Sequence, residues 1–125
     1  MYKREIKKIG KISKEICDRY NIYEFENYEI CQSMDLYSHV NKHIKDFKDI
    51  HSFEKALLSI DKIIKKPLFV SYDKNRRSLS YYGKIDEYVC CIVKIKISRR
   101  YCYVATIYPV SKKKLNKAKE QSYLR

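Results

Sequence analysis

The sequence predicts an α+β fold, with N-terminal helices packed on an antiparallel meander sheet of three to four strands. Three observations carry this. Apolar residues recur at helical spacing up to Pro67. Beyond Pro67 the pattern switches to strand-length runs and alternation. Runs of helices followed by runs of strands belong to α+β architectures rather than to α/β ones.

The first element reads as an amphipathic helix from Lys3 to Tyr20. Ile6, Ile9, Ile12, Ile16 and Tyr20 form its stripe, and Lys7, Lys8, Lys11, Lys14 and Arg19 its basic outer face. Gly10 inside it costs about 1 kcal/mol relative to Ala. Tyr28–Gln32 has strand length. A second helix runs from Asp35, its N-cap, to about Phe47, burying Leu36, Val40, Ile44 and Phe47. Ser52 caps a third, which Pro67 stops.

Leu68–Tyr72 and Ser78–Ile85 follow as strands around the polar turn Asp73–Arg77, with Gly83 marking a bulge. Tyr88–Ile97 alternates. Val89, Cys91, Val93, Ile95 and Ile97 take one face, and Tyr88, Cys90, Ile92, Lys94 and Lys96 the other. Ser98–Arg100 connects to a return strand, Tyr101–Tyr108, closed by Pro109. Ser111 caps a short basic C-terminal helix. The helices are expected to cover one sheet face, leaving the face with Lys94 and Lys96 cationic and partly open.

With 125 residues the chain has the length of one domain. Two Gly and two Pro exclude collagen-like and Pro/Gly-rich disordered chains. No apolar run approaches the ~20 residues of a membrane span. The basic start, Met1–Lys8, lacks the apolar core of a signal peptide, so a cytoplasmic location is expected. A fragment of a larger delivered protein would read the same.

Charge narrows the function. Twenty-eight Lys and Arg against fifteen Asp and Glu give +13, which favours a polyanionic partner: nucleic acid, an anionic membrane or an acidic protein. Five cysteines cannot all pair internally, and without a C-x-x-C pair a zinc ribbon is not expected. Reduced, buried cysteines are. Two glycines leave no phosphate-cradling loop, so P-loop chemistry is excluded; there is no G-x-S-x-G either.

The candidate chemistry lies in His39 and His43, one helical turn apart beside the apolar stripe. Two imidazoles on one face suit general acid–base catalysis, since each titrates near neutrality. Packing and a metal pair are the alternatives, although Val40 stands where a zinc-protease helix carries Glu. Thirteen tyrosines, seven of them in the strand-rich half, offer rings that stack on unpaired bases. Individually they also suit strand packing.

Several of these segments resemble a known family. Ser38-His39-Val40-Asn41-Lys42-His43, the helix ending at Lys66-Pro67, the alternating Val89–Ile97 and the closing strand Val104-Ala105-Thr106-Ile107-Tyr108-Pro109-Val110 are similar to phage-associated members of the barnase–EndoU–colicin–RelE superfamily of toxin nucleases. The resemblance covers residues 28–119 and leaves 1–27 as an added N-terminal helix of the single domain. It implies a RelE/barnase-like fold and RNA cleavage that needs no cofactor or metal, directed at tRNA or mRNA. It also implies His43, with neighbouring His39, as base or acid, and Thr106 and Tyr108 at the scissile phosphate. Lys42, Tyr82, Lys94, Lys96, Arg99, Arg100 and Lys112 would then hold RNA, and an acidic antitoxin or immunity protein would cover the basic cleft. A non-catalytic nucleic-acid-binding module and an adaptor for acidic proteins fit the charge as well.

Overall fold

A computed structural model describes residues 6–33 and 36–123, the side chains of His39 and Tyr123 excepted. The chain forms β1 (Ile6–Lys11), α1 (Lys14–Tyr20), β2 (Glu29–Ser33) and α2 (Leu36–Val40). A 3-10 segment, Asn41–Asp46, leads to α3 (Ile50–Leu58) and α4 (Ile60–Lys65). Then come β3 (Phe69–Asp73), β4 (Ser78–Lys84), β5 (Tyr88–Lys96), β6 (Tyr101–Pro109) and α5 (Lys112–Tyr123).

The expected meander is present as β3–β4–β5–β6, but it is part of a larger, mixed sheet. The order is β1-β2-β6-β5-β4-β3, and β2 runs parallel to β6. This corrects the expectation of a three-to-four-strand antiparallel sheet. It also corrects the N-terminal helix expected over residues 1–27. Within it Ile6–Lys11 is an edge strand and only Lys14–Tyr20 is α-helical; residues 1–5 lie outside the described residues.

The reason lies in a β-bulge. The β1–β2 register shifts between Lys8 and Gly10, so Ile9 is an extra residue in its strand. That insertion sends Ile9 and Ile12 into the core while Ile6 stays 59% exposed. An isoleucine spacing of three therefore mimics a helix. Gly10 serves close packing, because a Cβ there would sit 2.9 Å from Ile64 Cγ2.

Other boundaries moved for local reasons. Asp49, not Ser52, caps α3, accepting from the Ser52 N–H at 2.8 Å. Asp35, expected to cap α2, lies outside the described residues. The helix expected to reach Phe47 becomes 3-10 after Val40. Ser111 does cap α5, accepting from the Lys114 N–H at 3.2 Å.

The sheet separates two environments. Its inner face carries Leu79, Tyr81, Val89, Cys91, Val93, Ile95, Cys102 and Ile107, all buried with Phe53, Ile60, Ile63 and Ile64 from the helices. Cys91 belongs to this core and its neighbour Cys90 to the opposite face, as alternation requires. All five cysteines are free and buried. Gly83 marks no bulge, since the β4–β5 register is continuous. It lies under α4, where a Cβ would meet Ile63 Cγ1 at 3.1 Å and Cγ2 at 3.2 Å.

That contact is testable. Gly83→Ala is expected to destabilise the fold by about 1–3 kcal/mol, the usual cost of overpacking. Ile63→Ala should then cost less in the Gly83→Ala background than alone. Urea denaturation of the double-mutant cycle measures this, and strict additivity would refute the clash.

Candidate active site on the outer sheet face

β6 sets the geometry. It pairs with β5 along its length, but with β2 only where Glu29–Cys31 meets Tyr101–Tyr103. Past Tyr103 the pairing with β2 ends, and α2 and the 3-10 segment pack against β6. Leu36 and Val40 anchor α2 in the core, and Phe47 packs edge-on against Phe53 at 5.5 Å. The loop between β4 and β5 holds the following turn. The Lys48 N–H donates to Glu87 at 3.0 Å, the Ser52 hydroxyl to Asp86 at 3.3 Å, and Lys55 pairs with Asp86 at 3.2 Å.

This frame brings His43 to Tyr108, with ring centroids 5.9 Å apart. The His43 side chain is 23% exposed and its Nδ1 lies 3.1 Å from Asp46 Oδ2. An ionised carboxylate only accepts, so in the neutral ring Nδ1 carries the proton and Nε2 is the basic nitrogen. Asp46 was not singled out from the sequence, although its position three residues after His43 was the available signal. His39 lies on α2, with its side chain outside the described residues.

Beneath Tyr108 the outer face is a polar row. Tyr82, Cys90 and Tyr108 are cross-strand neighbours on β4, β5 and β6. Burial pushes the Cys90 thiol pKa up, while the Tyr108, Tyr82 and Ser80 hydroxyls beside it pull the other way. Burial first, then the thiol beside it, raises Tyr108 well above the ordinary phenol range; the Arg76 guanidinium pulls weakly the other way. Tyr82, stacked on Phe69 at 4.5 Å, is pushed up to about 12, chiefly by burial and then by Cys90. Both tyrosines therefore keep their protons at neutral pH and serve as donors.

Thr106 sits two pairs along on the same face, opposite Ile92. Its Oγ1 is buried and has no hydrogen-bond partner. The β5–β6 register shifts here, leaving Ala105 as a bulge beside it. An unpartnered buried hydroxyl costs about 1–3 kcal/mol.

The predicted cationic residues fall into two groups. Lys42, on the 3-10 segment, and Lys112, at the start of α5, are exposed near the Tyr108 end of β6. Lys94 and Lys96 stand opposite Tyr103 and Tyr101, and exposed Arg99 and Arg100 occupy the β5–β6 connection. The groups therefore lie toward opposite ends of a nine-residue strand, roughly 25 Å apart at 3.3 Å per residue. Among the described residues no three His, Cys, Asp or Glu gather to hold a metal ion. No described helix is long and apolar enough to cross a membrane.

The raised tyrosine pKa has a consequence for stability. A phenol raised on folding holds its proton more tightly than in the unfolded chain, so its stabilisation is complete below about pH 10 and is lost as pH climbs toward 12. Tyr82→Phe is expected to flatten this alkaline decline, as measured by urea midpoints between pH 9 and pH 12. An unchanged slope would show that Tyr82 titrates normally.

A family model described as phage-Barnase-EndoU-ColicinE5/D-RelE like nuclease3 matches residues 7–117. The match takes in β1 and α1, which the sequence reading had set apart from the region of resemblance beginning at residue 28. No curated protein and no solved structure matches the chain.

Proposed function

The chain belongs to the phage-Barnase-EndoU-ColicinE5/D-RelE like nuclease3 family, and from that premise we propose that it is a metal-independent endoribonuclease of toxin type. One observation carries the reading. An Asp46-oriented His43 stands beside the protonated Tyr108 at the edge of a sheet face bearing Lys94 and Lys96, in a chain of net charge +13.

The chemistry follows from those groups. His43 Nε2 takes the proton of a ribose 2′-OH. The 2′-oxygen attacks phosphorus, the P–O5′ bond breaks, and the leaving oxygen receives a proton. The products are a 2′,3′-cyclic phosphate and a 5′-hydroxyl. His43 and His39 are the acid–base candidates, and such catalysis contributes ~10²–10⁴-fold. Tyr108 donates a hydrogen bond to a non-bridging phosphate oxygen, because its raised pKa suits a donor and not a proton source. Thr106 joins it when the chain at the Ala105 bulge shifts enough to expose its hydroxyl. Lys42, Tyr82, Lys94, Lys96, Arg99, Arg100 and Lys112 hold the RNA. The same basic face fits an acidic antitoxin or immunity protein, whose charge would speed and align docking. Action in a bacterial cytoplasm, where RNA is the target, follows from this reading.

Incubation with total RNA in excess EDTA tests it. Discrete cuts ending in 2′,3′-cyclic phosphates are expected, lowered ~10²–10⁴-fold in folded His43→Ala. Asp46→Asn should retain RNA binding and slow cleavage about five-fold, in line with ~1 kcal/mol for a partly exposed pair. Intact RNA that is nevertheless shifted in a gel would make the protein a binding module instead.

Thr106→Val separates structure from chemistry. Removing the unpartnered hydroxyl should raise stability by about 1 kcal/mol while lowering turnover. Unchanged turnover would take Thr106 out of the reaction.

A further inference from the structure

A second feature of the same face lies away from His43. Where β2 and β6 part after the Cys31–Tyr103 pair, a groove of about 360 Å³ opens. Ile6, Lys96, Tyr101, Tyr103 and Ala105 are among the residues lining it. The Tyr101 and Tyr103 rings stand 6.4 Å apart at 45°, and Tyr103 is 40% exposed. In the β5–β6 register Lys94 faces Tyr103 and Lys96 faces Tyr101. Aromatic and cationic side chains thus alternate across one pair of strands.

The geometry points to a binding subsite for an unpaired nucleobase, so that the substrate is recognised as a single strand. Three arguments converge. Ring faces held beside lysines are the chemistry by which proteins bind single-stranded nucleic acid, with stacking taking the base and ammonium groups the backbone. A base locked in a duplex has no face to offer such a ring. The groove also lies on the strand and face that carry Thr106 and Tyr108; Tyr103 is roughly 15 Å from Tyr108 at 3.3 Å per residue. A strand whose phosphate meets His43 and Tyr108 therefore reaches this groove a few nucleotides away, tracking along β6 toward Arg99 and Arg100. The opening itself is a product of topology. The β2–β6 pairing stops at Cys31–Tyr103, and the Ala105 bulge interrupts the β5–β6 register two residues on.

The inference rests on the nuclease reading for its substrate, but its test does not use cleavage. The probe is a fluorescein-labelled, uncleavable 2′-O-methyl oligouridine, compared with the same strand annealed to its complement. Fluorescence anisotropy is expected to show tighter binding of the single strand. Tyr103→Ala should weaken it about ten-fold, the effect of losing one stacked base, with Tyr103→Trp restoring affinity. Lys96→Ala should reduce the salt slope by about 0.7 while leaving the preference for single strands intact. Circular dichroism checks that each variant folds.

Wild-type affinity in both Tyr101→Ala and Tyr103→Ala would overturn the subsite and leave the nuclease standing, provided the wild type still cuts total RNA. Equal binding of single strand and duplex would overturn it too. A wild type that neither binds nor cuts RNA would sink both readings. A dimer that Ile6→Glu dissociates would instead make the groove an interface between two copies.

Discussion

The arrangement of this molecule depends on how the two edges of β6 are shared. A strand has one row of hydrogen-bonding groups on each side, and buried backbone groups must be paired. β5 takes one row of β6 along its whole length, but β2 takes the other for three residue pairs only. α2 and the 3-10 segment also pack against β6. His43, on the 3-10 segment, stands level with the outer face of a sheet against whose inner face α3 and α4 pack. A β2 pairing of full length would exclude His43 from Tyr108 and close the groove beside Tyr103.

The buried polar row under Tyr108 is the second constraint. Tyr82, Cys90, Ser80 and Tyr108 stand together on the outer face, where burial raises the Tyr82, Cys90 and Tyr108 pKa values. Cys90 lies between the two tyrosines in the cross-strand register, and burial keeps both phenols protonated. Thr106 stands next to this row, and its buried hydroxyl, like that of Tyr81 in the core, has no partner. The adjoining Ala105 bulge interrupts the β5–β6 register.

Much of this was legible in the sequence, and the failures have identifiable causes. The four strands after Pro67 were readable because alternation is the direct imprint of a sheet with distinct faces; Val89, Cys91 and Val93 mark the core and Lys94 and Lys96 the outer face. β1 was not readable, because a bulge at Ile9 converts a period of two into a spacing of three. No local signal announces that a strand will be added next to β6, since parallel pairing is a long-range event between residues 29–31 and 101–103. The His39–His43 spacing assumed a continuous helix. The change to 3-10 after Val40 alters the angle per residue, so sharing a face does not follow from the spacing of four. Asp46, a carboxylate three residues after His43, is the sequence signal of the ring's partner.

The charge of the chain takes its meaning from this architecture. Surface lysines spread evenly would attract any polyanion with little selectivity. Here Lys94 and Lys96 alternate with Tyr103 and Tyr101 on facing strands, while Lys42 and Lys112 flank the far end of β6. Charge draws a strand to the face, but only ring faces distinguish unpaired bases from a duplex, and only the His43 end carries an oriented base. On the proposed reading, attraction, discrimination and chemistry fall to different elements: lysines on β5, tyrosines on β6 and His43 on the 3-10 segment. On the same reading, an acidic inhibitor is expected to cover Tyr103 or His43 as well as the lysines.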